Sequence, residues 1–462
     1  MVFSSGAFLF LFLPVVLVAH TLIKNNTARN ILLIVASLIF YAYGEPVYVF
    51  LLLGSVTVNY FLGRILLTNK SRLILVLAVV LNIGLLVVYK YLGFLTELIN
   101  LVPCINIPEP EISMPIGISF YTFQAISYVI DSYRSSEQKP PSFFEVLLYI
   151  SLFPQLIAGP IVKYNSIKDT IADRRVTVSG LSEGMRRFFA GLGKKMLIAN
   201  TMAVAADAVF SKGTGEISMG LAWVGGLSYM LQIYFDFSGY SDMALGIGRM
   251  LGFEFPENFN YPYTSSGIRD FWRRWHMSLT GWFREYLYIP LGGNRRGKAR
   301  QILNSMIVFL CTGIWHGANL TFLFWGFMHG CLMSVETALA KKKDSGKFNP
   351  LKWIYTMIFV LTGFVIFRAD SMEYAFGYIG RMFSFSGVGG IMNIFTPTYI
   401  VTLAVALVAA TPIIPFIRKY TEGRKSGKVF EAAGYVLGLV LYVLCVMNLA
   451  VDSYNPFIYF RF

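Results

Sequence analysis

Charge is scarce in this chain: only 14% of its 462 residues are Asp, Glu, Lys or Arg, while 56% are hydrophobic. A soluble domain of this length needs more charge to keep its surface wet. Polar interruptions are scarce too, and the apolar runs repeatedly reach the ~20 residues that cross a hydrocarbon core of roughly 30 Å. The strict alternation of a lipid-facing barrel is missing. Inside a bilayer every backbone polar group must be satisfied within the protein, which leaves helices. The expected fold is all-α, a polytopic membrane protein.

Other absences narrow the chemistry. The four cysteines, Cys104, Cys311, Cys331 and Cys445, form no CxxC pair, and three of them sit in apolar segments. They read as small core residues, not as a disulfide framework or metal site. There is no HExxH and no cluster at zinc-like spacing, so no metal is expected. There is no Walker loop and no GxSxG elbow, which argues against P-loop phosphoryl transfer and an α/β-hydrolase triad. The opening MVFSSGAFLFLFLPVVLVAH has neither the basic region nor the small-residue cleavage site of a signal peptide, and reads as a retained first span.

Acidic residues are the minority sign, 25 against 39 Lys and Arg, for a net charge of +14. The basic residues are grouped in short stretches between apolar spans, as the positive-inside rule expects, so the partner implied is the lipid bilayer and not nucleic acid. Lys24 and Arg29 after the first span put Met1 outside. Apolar runs broken at Gly44-Glu45-Pro46 return the chain to Lys70 and Arg72. The run from about Leu73 to Val102 exits to CINIPEPEIS, and MPIGISFYTFQAISYVIDSYR returns to Arg134 and Lys139. The segment FFEVLLYISLFPQLIAGPIVKY carries Pro154, Gly159 and Pro160. It is expected to be re-entrant and to line a site, because irregular backbone at depth needs protein or a wet cavity around it. Basic residues near Arg418 and Lys428 then place the C-terminus outside as well. No repeat or linker is visible, so residues 1–462 read as one integral-membrane domain, with a motif-bearing core at about 114–340 and an aromatic tail at 455–462.

In IRDFWRRWHMSLTGWFREYLY, the residues Trp272, Trp275, Leu279, Trp282 and Tyr286 fall at spacings of three and four. That pattern predicts one helix with an aromatic stripe, lying in the membrane interface.

Histidine is scarce, at four residues. His316, in GIWHG, lies about 15 residues past the preceding basic run, roughly 22 Å along a helix. At that depth a polar side chain faces the protein interior or a cavity. It reads either as a general base that takes a proton from a hydroxyl or as a hydrogen-bonded core residue. His276, in WRRWHMS, reads as an interfacial or ligand-contacting histidine, His329 as a packing or hydrogen-bonding one, and His20 has no supporting context. Asp236 and Asp242 in YFDFSGYSDMALGIGR, with Asp131 in YVIDSYR, are intramembrane carboxylates that mark a polar cavity, a proton path or a cation site.

Seven stretches in order, MVFSSGAFLFLFLP, MPIGISFYTFQAISYVID, LFPQLIAGPIVKY, YFDFSGYSDMALGIG, FWRRWHMSLTGWFREYLYIPLGGNR, GIWHGANLTFLFWGFMHG and FIYFRF, resemble the membrane-bound O-acyltransferase family, in its bacterial alginate O-acetyltransferase branch. The resemblance extends over essentially the whole chain. It implies a ring of tilted transmembrane and re-entrant helices around a thin centre, with cytoplasmic and outer funnels. It makes His316 the catalytic histidine and His276 the second recurrent one. The FxYFxF ending, met by Phe457, Tyr459, Phe460 and Phe462, suggests that Tyr459 is an acyl relay activated by His316. The other reading of these aromatics is an anchor at the outer interface.

The function expected is transfer of an acetyl group from a cytoplasmic thioester, acetyl-CoA as co-substrate, across the bacterial cytoplasmic membrane. No cofactor is expected to be permanently bound, and the residues that hold the donor are not legible. The acetyl group is expected to reach an exported polysaccharide such as alginate through an extracytoplasmic partner of the SGNH type. Two alternatives remain open at this point: D-alanyl transfer from a carrier protein to teichoic acid, and a non-enzymatic transporter or export component.

Overall fold

The structure is a computed structural model that describes residues 1–102, 105–136, 140–339, 348–421 and 423–451. The described residues form helices joined by turns and extended segments, with no strand among them. Among the described residues, five helices are long and apolar enough to cross a membrane, and a pair bent by 55°, Pro397–Ala409 with Ile413–Thr421, brings the number to six when counted as one span. Their outward faces are apolar. Leu73, Val76 and Val80 on one helix are exposed, as are Val436, Leu437 and Leu439 on another. Such surface is stable only against lipid. The chain is a multi-pass membrane protein. Cys104 and the 455–462 tail, with Phe457, Tyr459, Phe460 and Phe462, lie outside the described residues.

The chain divides into two compact units, one of residues 1–188 and 241–256, the other of residues 189–240 and 257–462. In the first unit, α1 (Asn26–Ala42) starts where the Asn25 side chain accepts from the Ala28 amide. The Gly44-Glu45-Pro46 break separates it from α2 (Tyr48–Thr68), and α3 (Arg72–Asn100) follows. Asn59 and Asn82 exchange side-chain amide hydrogen bonds at 3.1 and 2.7 Å, which satisfies two buried amides and pins α2 to α3. Both helices pack on α4 (Ile118–Arg134). That helix is buried on nearly every face, including Thr122, Gln124 and Ser127. Gly63 of α2 allows the closest approach, because a Cβ there would run into the Tyr128 ring.

The segment expected to be re-entrant is irregular, as its prolines dictate. α5 (Phe143–Ser151) opens with a capping box between Ser142 and Glu145. It stops before Pro154, and after one short turn residues 157–163 run without helix, nearly all of them buried. This irregular backbone is therefore surrounded by protein, as the cost of unpaired amides in lipid requires.

The second unit carries most of the residues singled out for chemistry. α6 (Met219–Met250) contributes residues to both units. α7 (Ile268–Trp272), α8 (Met277–Phe283), α9 (Gly297–His316), α10 (Leu320–Leu339) and α11 (Pro350–Arg368) belong to the second. α9 and α10 form a tight hairpin. A Cβ on Gly313 would strike the Phe322 carbonyl, and one on Gly326 would strike the Phe309 carbonyl, so both positions must be glycine for the backbones to meet.

The aromatic segment corrects the expectation of one continuous helix. α7 ends at Trp272, and His276 takes a left-handed conformation, φ 44° and ψ 53°, before α8 begins. A left-handed residue cannot propagate a right-handed helix, and for a side chain with a Cβ it is costly. The tryptophans also face inward and not toward lipid or water. Trp272, Trp275 and Trp282 are all buried within the protein.

Candidate active site

His316 is the last residue of α9, and the extended Gly317 turns the chain away directly after it. Asn319 holds the turn. Its side-chain oxygen accepts from the Thr321 amide at 3.0 Å, and its nitrogen donates to the Asp370 carbonyl at 3.1 Å. Trp315, Trp325 of α10 and Phe367 of α11 surround the imidazole, with ring centroids at 4.9, 5.2 and 5.0 Å, the last two nearly edge-on. The residue keeps 6% of its surface open. A helix C-terminus favours positive charge, so this position steadies charge that develops on the ring when it accepts a proton.

His276 is fully buried, 18 residues past its main partner Asn258. Nδ1 of His276 lies 3.1 Å from Oδ1 of Asn258. The same oxygen accepts from the Ser278 amide at 3.3 Å and the Ser278 hydroxyl at 2.9 Å. A backbone N–H can only donate, so the Asn258 atom is the amide oxygen and His276 donates from Nδ1. The lone pair therefore resides on Nε2, which is buried and has no hydrogen-bond partner among the described residues. Burial pushes the His276 pKa down to about 3 and keeps the ring neutral. Phe237 meets this ring edge-on at 4.7 Å, and Trp315 lies at 6.1 Å.

The two histidines singled out from the sequence thus pack on one indole, that of Trp315. His329 joins the same aromatic cluster in a different capacity. The Trp272 indole donates to its Nδ1 at 3.3 Å, and Gly363 leaves just enough room for its Nε2. His20 stands in the first unit, buried, with Nε2 facing the Arg174 guanidinium at 3.3 Å. Tyr459 lies outside the described residues.

Two of the intramembrane carboxylates, Asp236 and Asp242, are engaged by cations of the protein itself, and Asp131 accepts from the Asn165 amide at 3.4 Å. Asp236 pairs with Lys195 at 2.6 Å, both almost fully buried, and Lys195 also donates to Asn200 at 3.3 Å. Gly239 makes this pair possible, since a Cβ there would meet the Lys195 amide and the Gly191 carbonyl. Asp242 pairs with Arg187 at 2.9 Å. Among the described residues, no three His, Cys, Asp or Glu side chains gather where a metal ion would bind.

Sequence reasoning missed Asn258, which sets the tautomer of His276, and Lys195, which pairs with Asp236 in the interior. The signal available for Asn258 was its place in the polar loop ENFNYP, between α6 and Trp272. For Lys195 it was the doublet with Lys194, since two adjacent helical residues cannot face the same way.

The chain is similar to known proteins over most of its length. A family model described as MBOAT, membrane-bound O-acyltransferase family, matches residues 67–375 and so includes both histidines. The probable alginate O-acetylase AlgI of Pseudomonas putida is 39% identical over the full length of both chains. That of Pseudomonas aeruginosa is 43% identical over 83% of this chain and 75% of its own. A peptidoglycan O-acetyltransferase of Helicobacter pylori is 37% identical over 84% of this chain and 81% of its own.

Proposed function

The chain belongs to the membrane-bound O-acyltransferase family, and we propose that the reaction it performs is transfer of an acetyl group from acetyl-CoA to an exported polysaccharide. The observation that carries the reading is His316, boxed by Trp315, Trp325 and Phe367 yet not sealed, at the end of a helix. The relatives covering most or all of the chain are named as acetylases of alginate or peptidoglycan, which supports acetyl as the group and a glycan as the final acceptor.

In this reading the acceptor hydroxyl gives its proton to His316 as its oxygen attacks the thioester carbonyl. The carbon–sulfur bond breaks, and the proton passes from His316 to the departing thiolate, leaving the free thiol of CoA and a new oxygen ester. A thioester is a good leaving group, so the protein has mainly to orient the reactants and supply the base. His276 is the helper, its Nε2 lone pair set by Asn258. Tyr459 is the proposed intermediate acceptor, on the strength of its motif, and an extracytoplasmic SGNH-type protein carries the group onward. The membrane is the bacterial cytoplasmic membrane, with both termini outside.

The test presents purified protein with labelled acetyl-CoA and, separately, with a D-alanyl carrier protein. Acetyl consumption with release of free thiol supports the reading. Turnover of the D-alanyl carrier alone would replace acetyl with D-alanine, and consumption of neither would favour a transporter or export component.

A further inference from the structure

Three arginines of the second unit, Arg269, Arg273 and Arg284, stand around one pocket of about 230 Å³. None of their guanidinium groups has an ion pair or hydrogen bond among the described residues, whereas the adjacent Arg274 pairs with Asp270 at 3.1 Å. The nearby carboxylate of Glu336 is already used, because its two oxygens accept from the Ile268 and Arg269 amides at the start of α7. The arginines converge on one place. Burial raises the pKa of the Tyr288 phenol, while Arg269 and Arg284 both lie close enough to pull it the other way.

Behind this cationic mouth the pocket is apolar, with Trp272, Phe283, Val308, Phe309 and Met333 in its lining. It begins at the end of the α9–α10 hairpin away from His316, beside Gln301 near the start of α9 and Thr337 near the end of α10, and extends along α9 to Thr312, about one turn short of His316. That end carries Arg295, Arg296, Lys298 and Arg300, which places it at a membrane surface. The same hairpin exposes Leu303, Val335 and Leu339, apolar side chains suited to contact lipid.

Three unpaired guanidiniums at headgroup depth over an apolar slot between membrane helices are complementary to one kind of molecule. We propose that this pocket binds an anionic phospholipid, with its phosphate among Arg269, Arg273 and Arg284 and one acyl chain against Trp272, Phe283 and Phe309. Guanidinium forks grip phosphate with charge-assisted hydrogen bonds, and basic pockets beside membrane helices select acidic headgroups. The bound chain also braces the site. Trp272 meets Trp325 edge-on at 5.6 Å, and Trp325 is one wall of the His316 box. The proposal does not depend on which acyl group the protein transfers.

Native mass spectrometry of the full-length protein in detergent tests it, with palmitoyl-oleoyl phosphatidylglycerol and phosphatidylcholine as probes. One phosphatidylglycerol is expected to be retained about tenfold better than phosphatidylcholine, the gain typical of a strong charge-assisted contact. The R269Q/R273Q/R284Q variant should lose that preference. As a control on folding, the single R273Q and R284Q variants, at exposed positions, should each weaken retention by about threefold with an unchanged gel-filtration profile. Equal retention of the two lipids, or no loss in the variants, would overturn the proposal. So would displacement of the lipid by stoichiometric coenzyme A, which would assign the arginines to the acyl donor.

Discussion

Oδ1 of Asn258 accepts a hydrogen bond from Nδ1 of His276 at 3.1 Å, and that contact decides which nitrogen of the buried ring keeps its lone pair. If Nε2 of His276 assists the reaction, removing the acceptor releases the ring from its tautomer and its orientation. Asn258→Leu should lower acetyl transfer by about 10²-fold or more, within the range of acid–base assistance. Asn258→Asp keeps an acceptor oxygen and should retain much more activity. A steady-state acetyl-transfer assay on both variants separates an oriented helper from a residue that only fills space, for which the two variants would lose alike.

The buried, neutral state of His276 has a pH signature. Its folded pKa of about 3 lies below the ordinary histidine value near 6.5, so between those values the unfolded chain binds a proton that the folded protein does not. This group's contribution is full above about pH 6.5 and is lost progressively as pH falls toward 3. The slope is about 1.4 kcal/mol per pH unit at most. Thermal unfolding in detergent between pH 7 and pH 5 should show His276→Gln losing less stability on acidification than the parent protein.

The Lys195–Asp236 pair is the clearest case of buried charge in the second unit. Lys195→Met would leave the Asp236 carboxylate in the core without its cation, at a cost of about 3–5 kcal/mol. Adding Asp236→Leu should restore much of that loss, because desolvation is then avoided for both groups. Unfolding midpoints of the two singles and the double measure the coupling, and additive losses would show that the pair does not act as one unit.

Much of this was legible in the sequence and some of it was not, for definite physical reasons. The spans were legible because crossing lipid demands long apolar runs, and the break at Gly44-Glu45-Pro46 because such residues end helices. His316 stood out as a histidine deep in an apolar run. The break at His276 was not legible, because an aromatic stripe of period 3.6 runs through a residue whose left-handed backbone no periodicity records. The burial of Lys195 was hidden for another reason: loop-charge counting assigns lysines to water, whereas Gly239 lets two backbones close around this one. Asn258 was silent because its partner is 18 residues away across a loop.

The hairpin that delivers His316 has no tolerance at its crossing. Gly326→Val would drive a side chain into the Phe309 carbonyl and the Gly313 backbone, a small-to-large change worth at least about 1–3 kcal/mol. The unfolding midpoint in detergent should fall. Acetyl transfer should fall further than the remaining folded fraction explains, since separating α9 from α10 opens the Trp325 wall of the box.

The most direct test of the account is acetyl transfer by His316→Ala beside the parent protein, with unfolding midpoints measured on the same preparations. A loss of about 10²–10⁴-fold with little change in midpoint is the result expected if His316 is the base. Transfer at the parental rate by a folded His316→Ala protein would contradict it.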